Sequence, residues 1–185
     1  MIIIVEGPDG AGKDTFINNL AKLTGVKKIR GSSFEISQMG SEGMLDKWKE
    51  MLLCGENIII NRFFYSNAVY GPMFGYPTIS PEQFIELNDL VNERAIVYYI
   101  NADTDILIGR INARGDDDIS TEDIKDIQSS YDHMWGLARP DRLIRIDSSD
   151  DSLLNMDSRL YERVLDYSYN LDKIIKKNLS NSEKE

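Results

Sequence analysis

Gly7-Pro8-Asp9-Gly10-Ala11-Gly12-Lys13-Asp14-Thr15 follows directly on the apolar run Met1 to Val5 and opens a segment of helical period, Lys13 to Leu23. The order of strand, glycine-rich turn and helix, with the spacing G-x-x-x-x-G-K, is that of a phosphate-binding loop. The physical reason lies in the backbone. Glycines let the turn close tightly with its N–H groups pointing inward, the helix N-terminus adds positive potential, and the Lys13 ammonium is placed for the outer phosphates of a nucleoside triphosphate. Gly7, Gly10, Ala11, Gly12, Lys13, Asp14 and Thr15 are therefore the expected nucleotide-binding residues, with ATP and Mg2+ as the implied cofactors. A hydroxyl residue commonly follows the lysine and ligates magnesium, but Asp14 stands there and Thr15 keeps a hydroxyl one residue later. As a hard oxygen ligand Asp14 is the candidate metal residue. The alternative is that its charge simply suits the first turn of the helix.

Outward from the loop, further apolar runs bounded by turn residues occur at Val26 to Ile29, Ile58 to Ile60, Ala95 to Ile100 and Leu143 to Ile146. Continuous rather than alternating apolarity predicts buried parallel strands covered on both faces. Segments of helical period lie between or beside them: Glu42 to Leu53, Pro81 to Asn92, Thr104 to Arg114 and Thr121 to Leu137. The alternation predicts an α/β fold of three layers, α/β/α, around a five-stranded parallel sheet. Ser80, Pro81 and Glu82 mark the start of one helix through cap, first-turn and dipole preferences. A last helical stretch is expected over about 152–175, with Leu153, Met156, Leu160, Val164 and Tyr167 at helical spacing, and a frayed tail at 178–185.

One domain over 1–177 suits a chain of 185 residues with 42% hydrophobic content. A formal net charge of −10 argues against binding a nucleic-acid backbone, whereas a small phosphorylated ligand needs only a few cations in a cleft. The single cysteine, Cys54, cannot form an internal disulfide, and no Cys/His cluster suggests zinc. No apolar run has the length of a signal or membrane-spanning segment, so a cytoplasmic location is expected, with no membrane partner.

The loop with its preceding residue, Glu6-Gly7-Pro8-Asp9-Gly10-Ala11-Gly12-Lys13, closely resembles the phosphate-binding loop of thymidylate kinases, Glu-Gly-x-Asp-Gly-x-Gly-Lys. That resemblance implies a P-loop kinase fold. It also implies that Asp9 binds the sugar 3′-hydroxyl of a monophosphate, although an Asp beside a Gly is also a common turn former. After the third strand, Asn61-Arg62-Phe63-Phe64-Tyr65-Ser66-Asn67-Ala68-Val69-Tyr70 is similar to the family's Asp-Arg-Tyr-x-x-Ser-x-x-Ala-Tyr. By that likeness Arg62 clamps the acceptor phosphate with its two-pronged guanidinium, Ser66 and Tyr70 belong to the acceptor site, and Tyr70 disfavours a 2′-hydroxyl. The plain alternatives are a surface arginine and a core tyrosine. Asn61 replaces the family's aspartate, so Asp14 adds a carboxylate where Asn61 removes one. If both face the metal, its surrounding charge is conserved.

A third likeness is the lid, about 109–121, where thymidylate kinases carry Arg-x-x-x-Arg. Arg110 and Arg114, four apart, share a helix face from which both are expected to reach the transferring phosphoryl group, the alternative being ordinary ion pairs with Asp116 to Asp118. Leu143 to Asp147 with Ser148 and Ser149 resembles the last strand and adenine-side loop of the same kinases. Between Gly31 and Leu45 the likeness breaks down, and candidates for a base platform are Phe34, Trp48, Phe63, Phe64, Met73, Phe74 and Tyr76. Phe63 and Phe64, being adjacent, are expected to point different ways. The resemblance implies phosphorylation of a deoxynucleoside monophosphate, thymidylate or a related one, with Lys13, Arg62, Arg110 and Arg114 catalytic. Homodimers are frequent in this family, and bacteriophages encode compact kinases of similar kind. Alternatives are a deoxynucleoside kinase using Glu6 or Glu35 as base, a kinase of a modified base in DNA, and a nucleotide-binding module without catalysis.

Overall fold

A computed structural model describes residues 1–115, 120–150 and 166 of the chain. Apart from residue 166, the helical stretch expected over 152–175 lies outside the described residues, as do the tail and the middle of the lid. Five strands, β1 (Ile2–Glu6), β2 (Lys27–Arg30), β3 (Ile58–Asn61), β4 (Ala95–Asn101) and β5 (Leu143–Asp147), form one sheet in the order β2-β3-β1-β4-β5. Every pairing is parallel. Parallel strands need long crossovers, and the segments between them supply helices: α1 (Lys13–Thr24), α2 (Phe34–Ser37), α3 (Gly40–Leu53), α4 (Phe64–Phe74), α5 (Pro81–Arg94), α6 (Thr104–Arg114) and α7 (Thr121–Ala138).

Alternate residues of the central strand feed two cores. Ile2 and Ile4 join Trp48, Phe63, Phe64, Tyr99 and Tyr131 on the face covered by α3, α4, α5 and α7. Ile3 and Val5 join Phe16, Leu20, Leu107 and Ile111 under α1 and α6. Every residue of β1 is therefore buried, which is why the strand reads as an unbroken apolar run. The expected α/β architecture and five-strand parallel sheet are both present.

Two helices escaped the sequence reading. In α2 only four residues are helical, too few for a period to show. In α4, Phe64, Tyr65, Ser66, Asn67, Val69 and Gly71 are all buried, so polar and apolar residues do not segregate to opposite faces. Phe63 and Phe64 do not diverge as expected. The chain turns from strand into helix at Phe63, so both rings enter one core, 5.3 Å apart between centroids. The cap at α5 is as anticipated: Ser80 Oγ accepts from the Gln83 amide, and the Gln83 side chain returns the bond to the Ser80 amide.

Candidate nucleotide site

β1 is flanked by β3, reached by crossovers on one side, and β4 on the other, so a crevice opens at the carboxyl ends of these strands. The glycine loop lies in it. Gly7 has φ 147, and a Cβ there would stand 2.0 Å from the Ile100 carbonyl oxygen, so only glycine lets the loop leave β1 against β4. Gly12, at φ 83, caps α1 and presents Lys13 at its first position. The lysine side chain is buried, and Nζ donates to the Pro8 carbonyl at 2.6 Å. Burial foremost, then the Arg62 charge, pull its pKa from 10.5 down to about 7, against the opposing influence of Asp9, Glu6 and Asp14.

Register decides which residues of β3 meet the loop. Val5 pairs with Asn61, and the Arg62 amide donates to the Val5 carbonyl at 2.9 Å, so Arg62 emerges directly beside Gly7. Its Nη2 donates to Asp9 Oδ1 at 2.6 Å and its Nη1 to the Gly7 carbonyl at 3.1 Å. Tyr70, two turns along α4, donates to the other Asp9 oxygen at 2.8 Å, and the guanidinium lies 4.7 Å from its ring centroid. Asp9 is thus held from both sides. Burial raises its pKa, but the charges of Arg62 and Lys13 outweigh that and hold it below the ordinary carboxylate range.

Two cavities meet at this Asp9–Arg62 pair. The first, of about 370 Å³, is lined by Gly10, Gly12, Lys13, Asp14, Asn61 and four cationic side chains in all: Lys13, Arg30, Arg62 and Arg114. The second, of about 500 Å³, is lined by Ser66, Asn67, Tyr70, Phe74, Tyr76 and Phe34. Its aromatic wall is continuous: Tyr70 stacks with Phe74 at 6.0 Å, Phe74 with Tyr76 at 6.1 Å, and Phe34 meets Tyr76 edge-on at 5.8 Å. Of the candidate base platforms, Phe34, Phe74 and Tyr76 line this cavity, whereas Trp48, Phe63 and Phe64 are buried in the core. Asn67 adds a polar feature. Its amide nitrogen donates to the Pro77 carbonyl at 2.9 Å, and its buried Oδ1 has no protein partner.

The lid arginines part company. Arg114 reaches the cationic cavity, while Arg110 donates to the Gly10 carbonyl at 3.3 Å and to the Ser148 carbonyl at 2.7 Å, on the outer side of the loop. Ser148, fully buried, donates to the Ala11 carbonyl at 2.8 Å and so ties the turn after β5 to the loop. Thr15 is exposed and lines neither cavity. Asp14 and Asn61 are brought together, Asn61 Nδ2 donating to Asp14 Oδ1 at 2.7 Å, with Asn61 Oδ1 buried and unpartnered. A carboxylate, a neighbouring amide oxygen and the rim of a phosphate-sized cavity are a fitting donor set for a hard divalent cation. Sequence reasoning missed Tyr131 and Asn67. The one signal for Tyr131 was a ring bearing a polar tip within the buried stripe Ile124, Ile127, Tyr131, Met134 and Ala138.

A cradle of this kind on this sheet order defines the class of P-loop kinase folds. No family model matches the chain. It is 36% identical over 131 residues to YorR of Bacillus subtilis strain 168, an uncharacterised protein derived from the SPbeta prophage, covering 70% of this chain and 79% of that protein. The chain belongs to the family of YorR. The crystal structure of YorR in complex with phosphorylated GDP superposes with a TM-score of 0.79 at 28% identity, covering 94% of this chain and 98% of that one. Deoxyadenosine kinase from M. mycoides with bound dCTP (19% identity, TM-score 0.54, 92% and 99% covered) shares the fold. So does thymidylate kinase from Candida albicans (13% identity, TM-score 0.61, 92% of each chain covered).

Proposed function

We propose that the protein transfers the terminal phosphoryl group of ATP to a nucleoside monophosphate, of the deoxy series, giving ADP and a nucleoside diphosphate. One observation carries this: the Arg62–Asp9 pair forms the shared wall of a cationic phosphate cradle and an aromatic pocket of nucleoside size. A guanidinium there holds an acceptor phosphate beside the donor's terminal phosphate. Its neighbour Asp9 receives a sugar hydroxyl, and Phe34, Phe74 and Tyr76 take the base. The free Asn67 oxygen accepts from a donor on that base. Tyr70, closing the sugar side, disfavours a 2′-hydroxyl.

An oxygen of the acceptor phosphate attacks the γ-phosphorus in line as the bond to the β-bridging oxygen breaks and ADP leaves. No proton has to be removed, because the acceptor is already an anion near neutral pH. Catalysis then reduces to positioning and charge stabilisation, by the loop amides, Lys13, Arg62 and Arg114. Arg110, held against the loop backbone and Ser148, braces the donor side. When bound, magnesium would neutralise phosphate charge, and Asp14 and Asn61 are the residues placed to hold it.

A kinase of free nucleosides needs a carboxylate to take the hydroxyl proton. Burial raises the pKa of Glu6, but both its oxygens are engaged by hydrogen-bond donors and it lines neither cavity, while Glu35 is exposed with a lowered pKa, so neither is poised as a base. The test is ADP formation from ATP with each of the four deoxynucleoside monophosphates, each nucleoside, and no acceptor. Transfer to a monophosphate alone is expected. Transfer to nucleosides alone would replace the reading by the nucleoside-kinase one, and nucleotide binding without transfer would leave a binding module.

A further inference from the structure

Glu6, the last residue of β1, is fully buried. A buried carboxylate persists only where other groups satisfy it, and four donors converge on this one. The Phe63 amide reaches Oε1 at 2.7 Å and the Ser66 amide reaches it at 3.2 Å. Ser66 Oγ donates to Oε2 at 2.5 Å and the Tyr131 hydroxyl at 3.1 Å. The two amides are telling. Phe63 occupies the cap position of α4 and its side chain caps nothing. The amides of the cap residue and of the third helical residue are those that a local capping box would satisfy. Here a carboxylate from a different strand takes the Phe63 amide and shares the Ser66 amide with the Phe63 carbonyl, 3.0 Å away, with the helix dipole adding to the attraction.

Arg62 stands immediately before that cap at φ 57, a left-handed conformation that strains a non-glycine residue and lasts only where its surroundings over-determine it. Those surroundings are its own amide on Val5 and the next amide on Glu6. Tyr131 arrives from α7, the helix that follows the lid. Its hydroxyl accepts from Arg62 Nη1 at 3.4 Å and lies 2.9 Å from Ser66 Oγ.

We infer that Glu6 is a positioning residue for the acceptor phosphate: it caps α4 in place of a local side chain, holds Arg62 in its left-handed backbone, and receives Tyr131 as a tie from α7. The inference rests on the acceptor role of Arg62 proposed above. Glu6 itself lines neither cavity.

The test compares wild type with Tyr131→Phe and Glu6→Gln in the full chain, measuring by calorimetry the affinity for ATP and for whichever of the four deoxynucleoside monophosphates wild type phosphorylates fastest. Tyr131→Phe keeps the ring and removes the hydroxyl, which meets Glu6, Arg62, Ser66 and, at 3.3 Å, the Gly7 carbonyl. It should weaken monophosphate binding roughly tenfold while ATP affinity stays within roughly twofold. Glu6→Gln should act in the same direction and more strongly, and should it fail to fold, Tyr131→Phe carries the test. Equal loss of both affinities, the mark of general loosening, overturns the inference, as does unchanged monophosphate binding in Tyr131→Phe. Wild-type protein that binds ATP but none of the four monophosphates overturns the proposed function, and the inference falls with it.

Discussion

Lys13 is the residue at which burial and ligand charge oppose each other most directly. With its pKa near 7, the free protein at pH 8 carries mostly neutral Lys13. A triphosphate beside it favours the charged form, so ATP binding at pH 8 should take up roughly one proton. Calorimetry in two buffers of different ionisation enthalpy reads this directly, and Lys13→Met should abolish the uptake. The same shift has a sign for stability. Between about 7 and 10.5 the unfolded chain binds the extra proton, so this group makes the fold more stable as pH rises through that window. Asp14 is the second case. Asn61 Nδ2 donates to Asp14 Oδ1 at 2.7 Å, the side-by-side placement that the carboxylate-exchange reading requires. Asp14→Ser should raise the magnesium concentration for half-maximal activity roughly tenfold, and adding Asn61→Asp should recover most of it, a coupling that a double-mutant cycle measures. Unchanged magnesium dependence in Asp14→Ser would refute the exchange.

At the scale of elements, helix starts are satisfied in two ways. α5 and α7 carry their own capping boxes, at Ser80 with Gln83 and at Ser120 with Asp123. α4 borrows its cap from β1. A local cap is visible in a sequence and its removal is a local loss. Ser80→Ala should cost about 1 kcal/mol and lower the thermal midpoint by roughly 2–4 °C without altering nucleotide affinity. The borrowed cap leaves no local trace, because Phe63 at the cap position looks like any core residue. This explains why the boundaries of α5 were readable to within a residue or two and α4 was not. It also explains why Arg62, Ser66 and Tyr70 were legible only through their likeness to a known motif.

The candidate site gathers at the carboxyl ends of the central strands β1 and β3. The loop after β1, the turn into α4 and the start of α2 meet there, with Arg114 of α6 beside them. Ligand that bridges them should stabilise the fold as one unit. Saturating ATP with magnesium, at a hundred times its dissociation constant, should add about 2.7 kcal/mol and raise the thermal midpoint by roughly 5–10 °C. Lys13→Met should show far less. A third, larger groove of about 870 Å³ between α4, α5 and α7 is chiefly apolar, carries the exposed Ile85 and Leu137, and shares Asn67 with the aromatic pocket. The sequence by itself determined the parallel sheet, the strand–loop–helix cradle and Lys13, because buried strands need unbroken apolar runs and a phosphate loop needs glycines at set spacing. Only the tertiary structure decided that Asp9 is shared by Arg62 and Tyr70, that Asp14 meets Asn61, that Arg110 and Arg114 diverge, and that Glu6 caps a distant helix. Each of these depends on strand register and crossover path, which bring together residues as far as 100 positions apart, as with Arg110 and Gly10, and no local pattern encodes such distances.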